Sequence, residues 1–153
     1  MEEHPVLNQH NKAEYPPMHT AEHLLNGTMV KMFGCSRAVS AHVERKKSKL
    51  DYDFPRELTA QEVAEIERRV NEVILADVPV TYHYVSQQEA AERFDLNRLP
   101  DGASDTVRIV SVGDYDHCLC VGAHVSHTME IGHFRITSVR YDGSRLRIVF
   151  RLG

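Results

Sequence analysis

Apolar residues recur at three- and four-residue steps along two stretches of the chain, and alternate with polar ones along several others. Met18, Ala21, Leu25, Met29 and Met32 follow the helical period after the proline pair 16 and 17, and Gly34 supplies a stop, which predicts a helix over about 17–33. Val63, Ile66, Val70 and Val73 form a second stripe behind the capping pair Thr59 and Glu62, which predicts a helix over about 60–76. A second such pair, Ser86 and Glu89, opens the short helix "QQEAAERF", and "LNRLPDGASD" then reads as a loop.

The remaining segments read as strands. "AVSAHV" and "KLDYDF" flank a basic cluster and predict a hairpin, and "VPVTYHYV" precedes the short helix. "TVRIVSV", "HCLCVGAHV", "FRITSVRY" and "SRLRIVFRL" follow, the last two joined by Asp142-Gly143, a strong hairpin turn. Helices early and antiparallel strands late predict an α+β fold, an antiparallel sheet with helices packed on it. The 153 residues suit one domain spanning 1–153, with 1–15 as a short extension.

Composition narrows the class. With 42% hydrophobic and 26% charged residues the chain is expected to be globular rather than disordered. No run approaches the roughly 18 apolar residues of a membrane span, and the first residues lack the blocks of a signal peptide, so a cytoplasmic protein is expected. Three cysteines cannot all pair within one chain, which favours free thiols or metal ligands.

The net charge of −4 argues against a generally basic nucleic-acid coat, but the basic residues are clustered. Arg45, Lys46, Lys47 and Lys49 form one group, taken as a candidate nucleic-acid contact. Arg135, Arg140, Arg145, Arg147 and Arg151 form another, where strand alternation could collect several on one face. Charge alone fits a solvated face as well as a phosphate track.

Candidate chemistry begins at "HTAEHLL". On a helix His19 and His23 lie one turn apart and can aim at one point, which is half a metal site. In "CLCVGAH" a glycine-containing turn separates Cys120 from His124, and thiolate plus imidazole is a donor set that Zn2+ favours. Four such ligands complete a tetrahedron; three with a water leave the open position of a hydrolytic site.

These two motifs, His-x3-His and Cys-x3-His, resemble the paired metal motifs of the editing domain shared by alanyl- and threonyl-tRNA synthetases and by freestanding alanyl-tRNA editing proteins. "LDYDFP", "IERRVNEVILADVPV" and "DTVRIV" follow the same order, so the resemblance spans roughly 16–152. It implies a Zn2+-dependent deacylase that hydrolyses the ester of mischarged seryl- or glycyl-tRNA of the alanine type. With nothing resembling an aminoacylation core, it further implies action in trans on tRNA, without ATP.

The chain departs from the family pattern where Val121 and Ala123 stand in place of a glycine and a threonine, and where Cys118 occupies the usual place of an acid, with Asp116 two residues earlier. Glu22 replaces a common threonine. Glu22 and Cys118 are therefore candidates for the acid–base or supporting role, and Gly122 for an oxyanion donor. His42 and Arg108 are candidate substrate contacts, while His127 and His133 follow the second motif without an assigned role. Two other readings stand beside the deacylase: a metal-dependent hydrolase of a smaller acyl or aminoacyl ester, and a noncatalytic tRNA-binding module.

Overall fold

The structure, a computed structural model, describes residues 15–91 and 106–153. The loop read in "LNRLPDGASD", the end of the short helix and the N-terminal extension up to residue 14 lie outside those residues.

Helix α1 runs Pro16–Phe33, with prolines at its first positions and Gly34 closing it in the left-handed conformation at φ 67°. The hairpin around the basic cluster forms as β1 (Ser40–His42) and β2 (Ser48–Asp53), paired antiparallel. Helix α2 spans Ala60–Leu75. The Glu62 amide donates to the Thr59 hydroxyl (3.1 Å) and the Glu62 carboxylate accepts from the Thr59 amide (2.9 Å). That carboxylate also takes Arg56, and together these hold its pKa at about 2. Thr59→Ala should lower stability by about 1 kcal/mol, read as a melting temperature roughly 2–4 °C lower.

Strand β3 (Val80–Ser86) leads into the short helix α3 (Gln87–Ala91), and β4 (Thr106–Val112) and β5 (Asp116–Leu119) complete a three-stranded antiparallel sheet ordered β3-β4-β5. The strand expected over "HCLCVGAHV" thus ends at Leu119, and the chain then leaves the ladder to form an irregular turn. A 3-10 turn at Thr128–Ile131, not anticipated from periodicity because it is one turn long, packs against both long helices.

The last two strands, β6 (Phe134–Tyr141) and β7 (Arg145–Leu152), join the first hairpin in a four-stranded sheet ordered β1-β2-β7-β6. At their turn Asp142 Oδ1 accepts the amides of Ser144 and Arg145, and Gly143 takes φ 101°. The β6–β7 register slips by one residue between Ile136 and Ser138.

Alternation along β2 and β7 sends Leu50, Tyr52, Leu146, Ile148 and Phe150 inward, all fully buried. They share one core with Leu24, Leu25 and Met29 of α1, Ile66 and Val70 of α2, and Val110 and Val112 of β4. α1 is therefore buried along most of its length. Histidines 19 and 23 sit on this buried helix rather than on a solvated face.

Candidate metal centre

Buried polar groups need partners, and α1 carries several. His19 is 6% exposed, His23 2%, and Thr20 fully buried. The irregular turn after β5 supplies the partners of His19 and Thr20 across about a hundred residues of sequence, and β5 itself brings Asp116 to His23.

The ligand atoms of His19, His23, Cys120 and His124 all lie within 4.8 Å of one another. Cys120 Sγ is 3.3 Å from His19 Nε2 and 3.6 Å from His124 Nε2. The His19 and His124 rings stack at 4.1 Å, while His23 stands edge-on to both. The two predicted halves therefore meet at one point.

Two of the three imidazoles turn their other nitrogen outward to a hydrogen-bond partner, and the third faces a carboxylate. His19 Nδ1–H donates to the Ala123 carbonyl (3.1 Å), which leaves the Nε2 lone pair facing inward. His124 Nδ1 shares a hydrogen bond with the Thr20 hydroxyl (2.9 Å), which also accepts the Val125 amide. His23 Nδ1 stands 3.6 Å from Asp116 Oδ2, too long for a good hydrogen bond but within ionic reach. Among the described residues it is the one buried side-chain nitrogen or oxygen lacking a hydrogen bond.

Burial, reinforced by His23 and His19, drives the His124 pKa far down, so its ring is neutral, as a ligand must be. Three neutral-capable imidazoles and a thiol, backed by a carboxylate, a hydroxyl and a carbonyl, are the donor chemistry of a tetrahedral zinc site. The residues fit the ion.

Asp116, two residues upstream of Cys118, carries no sequence signal of its own for a place at this site. It is 5% exposed, bound bidentately by Arg37 at 2.7 and 3.1 Å, and directed at His23. Burial pushes its carboxyl up, but His23 and the Arg37 guanidinium outweigh that and hold it below its usual value. A Cβ on Gly27 would come within 3.0 Å of Asp116 Oδ1, so the glycine one turn after His23 is what lets the strand carboxylate approach the helix.

The other expected residues divide by position. Glu22 lies beside the cluster, its Oε1 3.8 Å from His19 Nε2 and its Oε2 accepting from Asn26 (3.2 Å). The Asn26 side-chain oxygen in turn takes the Tyr52 hydroxyl and the Ala38 amide, both at 2.9 Å. Cys118, on the Asp116 side of β5, stands outside the four-donor group. Gly122 adopts φ 105°, a conformation that favours glycine.

Arg108 donates from Nε to the Cys120 carbonyl (2.9 Å) and from a terminal nitrogen to the Gly122 carbonyl, with its guanidinium 4.6 Å from the centre of the Tyr82 ring. It braces the turn that carries Cys120 and His124. His42 is exposed on β1 opposite Lys49 and is not among the four donors. Arg45 stacks over Tyr15, and Lys46 and Lys47 are exposed in the hairpin turn. His133 is exposed.

His127 is exposed too, with Nδ1 bonded to Asp77 and Nε2 3.2 Å from Glu130. The bond to Asp77 raises the pKa of His127 and lowers that of Asp77. The pair thus stabilises the fold most fully below the ordinary histidine value of about 6.5, and that contribution is lost as pH rises through the raised value. On the acid side it is lost as pH falls through the depressed Asp77 value. An NMR titration should place His127 above about 6.5, and Asp77→Asn should bring it back down.

Comparison with known proteins adds an independent line. Residues 107–149 match the family described as the threonyl and alanyl tRNA synthetase second additional domain. An alanine–tRNA ligase of Neisseria gonorrhoeae is 36% identical over 127 residues, covering 78% of this chain and 14% of the ligase. That of Fervidobacterium nodosum is 37% identical over 121 residues, with the same shares. That of Bacillus subtilis is 34% identical over 142 residues, 92% of this chain and 16% of the ligase. The chain thus spans about one-seventh of the length of these relatives.

Proposed function

From the premise that this chain is an editing-domain-like protein related to alanyl-tRNA synthetase, we propose that it is a zinc-dependent deacylase acting in trans, in the cytoplasm, on mischarged aminoacyl-tRNA of the Ser- or Gly-tRNA(Ala) type. The observation that carries this reading is the convergence of His19, His23, Cys120 and His124 from two distant segments. Those four residues would hold the zinc ion, which when bound can orient the substrate amino group or lower the pKa of a water toward about 7.

The protein's own groups have distinct tasks. Glu22, fixed by Asn26, is the proposed base: it takes a proton from the attacking water and returns it to the ribose oxygen as the ester C–O bond breaks. The Gly122 amide is the proposed donor to the carbonyl oxygen as negative charge develops there. Arg108 keeps that turn in place through the carbonyls of Cys120 and Gly122. Cys118 is proposed as a supporting thiol beside the site, and His42 as a contact for the more distant part of the substrate.

Zinc-loaded protein incubated with Ser-tRNA(Ala), Gly-tRNA(Ala) and correctly charged Ala-tRNA(Ala) tests the proposal, with release of the free amino acid as the readout. Release from the first or second in preference to the third supports it. Turnover of seryl methyl ester without turnover of either mischarged tRNA would reassign the site to smaller esters.

A further inference from the structure

The arginines near the C-terminus are not used by the chemistry above, yet the fold gathers them. We infer that the outer face of the four-stranded sheet is a docking surface for the phosphodiester backbone of RNA. This rests on the reading that the substrate is a tRNA.

The register carries the argument. Since Leu146, Ile148 and Phe150 of β7 point into the core, Arg145, Arg147 and Arg151 point out, and all three are exposed. Across the ladder Arg135 of β6 stands opposite Arg151, and Arg140 opposite Arg147, both also exposed. On the other side Lys49 of β2 stands opposite Val149 on the same face. Among the described residues the acids near this row are Asp51, bound to Arg147 (2.8 Å), Asp53, bound to Arg145 (2.8 Å), and Asp142 of the turn, whose charge also acts on Arg147.

Among the described residues Arg135, Arg140 and Arg151 make no ion pair with a carboxylate. Like charges placed directly opposite on adjacent strands destabilise a sheet, and here two such arginine pairs occur on one face. The molecule as a whole carries −4, so this face is a local excess of positive charge on an acidic protein. An arrangement that costs stability in the free protein is relieved by an anionic partner.

Geometry favours a repeating polyanion over a single phosphate. Arg147 and Arg151 are four residues apart on one strand, about 13 Å, and each stands opposite a second arginine on the neighbouring strand, whose backbone runs about 5 Å away. In that array the guanidinium groups of Arg135, Arg140 and Arg151, which no carboxylate among the described residues holds, can meet several phosphates of a backbone at once, with Arg147 anchored by Asp51 between them. Guanidinium groups also match phosphate oxygens bidentately. The register that pairs Ser48 with Phe150 brings the Arg45–Lys47 turn to the Arg151 end, which extends the track.

Binding of uncharged tRNA, followed by fluorescence anisotropy at several salt concentrations, tests this. The double variant Arg135→Gln/Arg151→Gln should bind about tenfold more weakly near 0.1 M salt, and the slope of log affinity against log salt should become shallower by about two. Arg68→Gln, whose guanidinium on α2 is already held by Glu65 and Glu72, should match wild type. Unchanged affinity and slope in the double variant, an equal loss in the control, or no binding by wild type would each overturn the inference. Phosphatidylserine vesicles bound as tightly as tRNA, and with the same sensitivity to the double variant, would reassign the face to a membrane.

A second readout separates this inference from the proposed activity. On 3′-O-seryl-adenosine, too small to reach the sheet, the double variant should retain wild-type kcat/KM while losing it on full tRNA; equal loss on both would overturn the docking role. If wild type hydrolyses neither ester, the deacylase reading fails, and the anisotropy comparison still decides the face.

Discussion

Cys120→Ala protein is expected to keep its fold, lose stoichiometric zinc and hydrolyse Ser-tRNA(Ala) about a thousandfold more slowly than wild type. The magnitude follows from the several kcal/mol that a bound metal contributes to charge stabilisation in a hydrolytic transition state. The thiol is central to the constellation, within 3.3 and 3.6 Å of two imidazole nitrogens, so its removal deletes the donor that ties the strand turn to α1. Atomic absorption on dialysed protein reads the metal, and single-turnover deacylation reads the rate. Circular dichroism guards against a trivial result, because Cys120 sits at the edge of the core rather than within it. Wild-type zinc content and rate in the variant would refute the proposed ligand set.

The second large effect is expected at Asp116. Replacing it by Ala leaves Arg37, which is 22% exposed in its side chain, without its hydrogen-bonded carboxylate and with only the weaker field of Glu22, and leaves His23 without the carboxylate that orients it. Breaking a buried ion pair by removing one partner costs about 3 kcal/mol, which predicts a melting temperature lower by roughly 6–12 °C. Loss of a carboxylate behind a metal-bound histidine costs in addition about 10–100-fold in metal affinity. Competition for zinc with a chromogenic chelator measures the second effect separately from unfolding. Arg37→Met/Asp116→Leu should regain much of the thermal stability but not the metal affinity, since an apolar pair of similar size removes the stranded charge without restoring the orienting carboxylate.

Much of the fold was legible because local chemistry agreed with tertiary structure. Pro16, Gly34 and the Thr59–Glu62 box mark helix ends by satisfying backbone groups close by, and Asp142-Gly143 sets the last hairpin through φ 101° at the glycine. The four donors were legible for a related reason: two on one helical face and two across a short turn need only be brought together. Their surroundings were not. Thr20 reaches His124, and Asp116 approaches His23, through contacts spanning roughly ninety to a hundred residues, which no periodicity reports. Arg108 reads from the sequence as a candidate contact for substrate or phosphate, and no local pattern reports that its donors meet the Cys120 and Gly122 carbonyls of the turn that follows β5. The division into two sheets was likewise hidden, since alternation tells which side a residue faces but not which strands become neighbours.

The one-residue slip in β6 has a consequence for how this face tolerates change. Arg135 and Arg140 are five positions apart, an odd interval, so an unbroken strand would send one of them into the hydrophobic interior. Thr137, which has no residue opposite it in the register, restores their parity. Deleting it would force a choice between burying a guanidinium and unseating Val139 from Ile148, whereas exchanging its side chain would leave the count, and hence both orientations, intact.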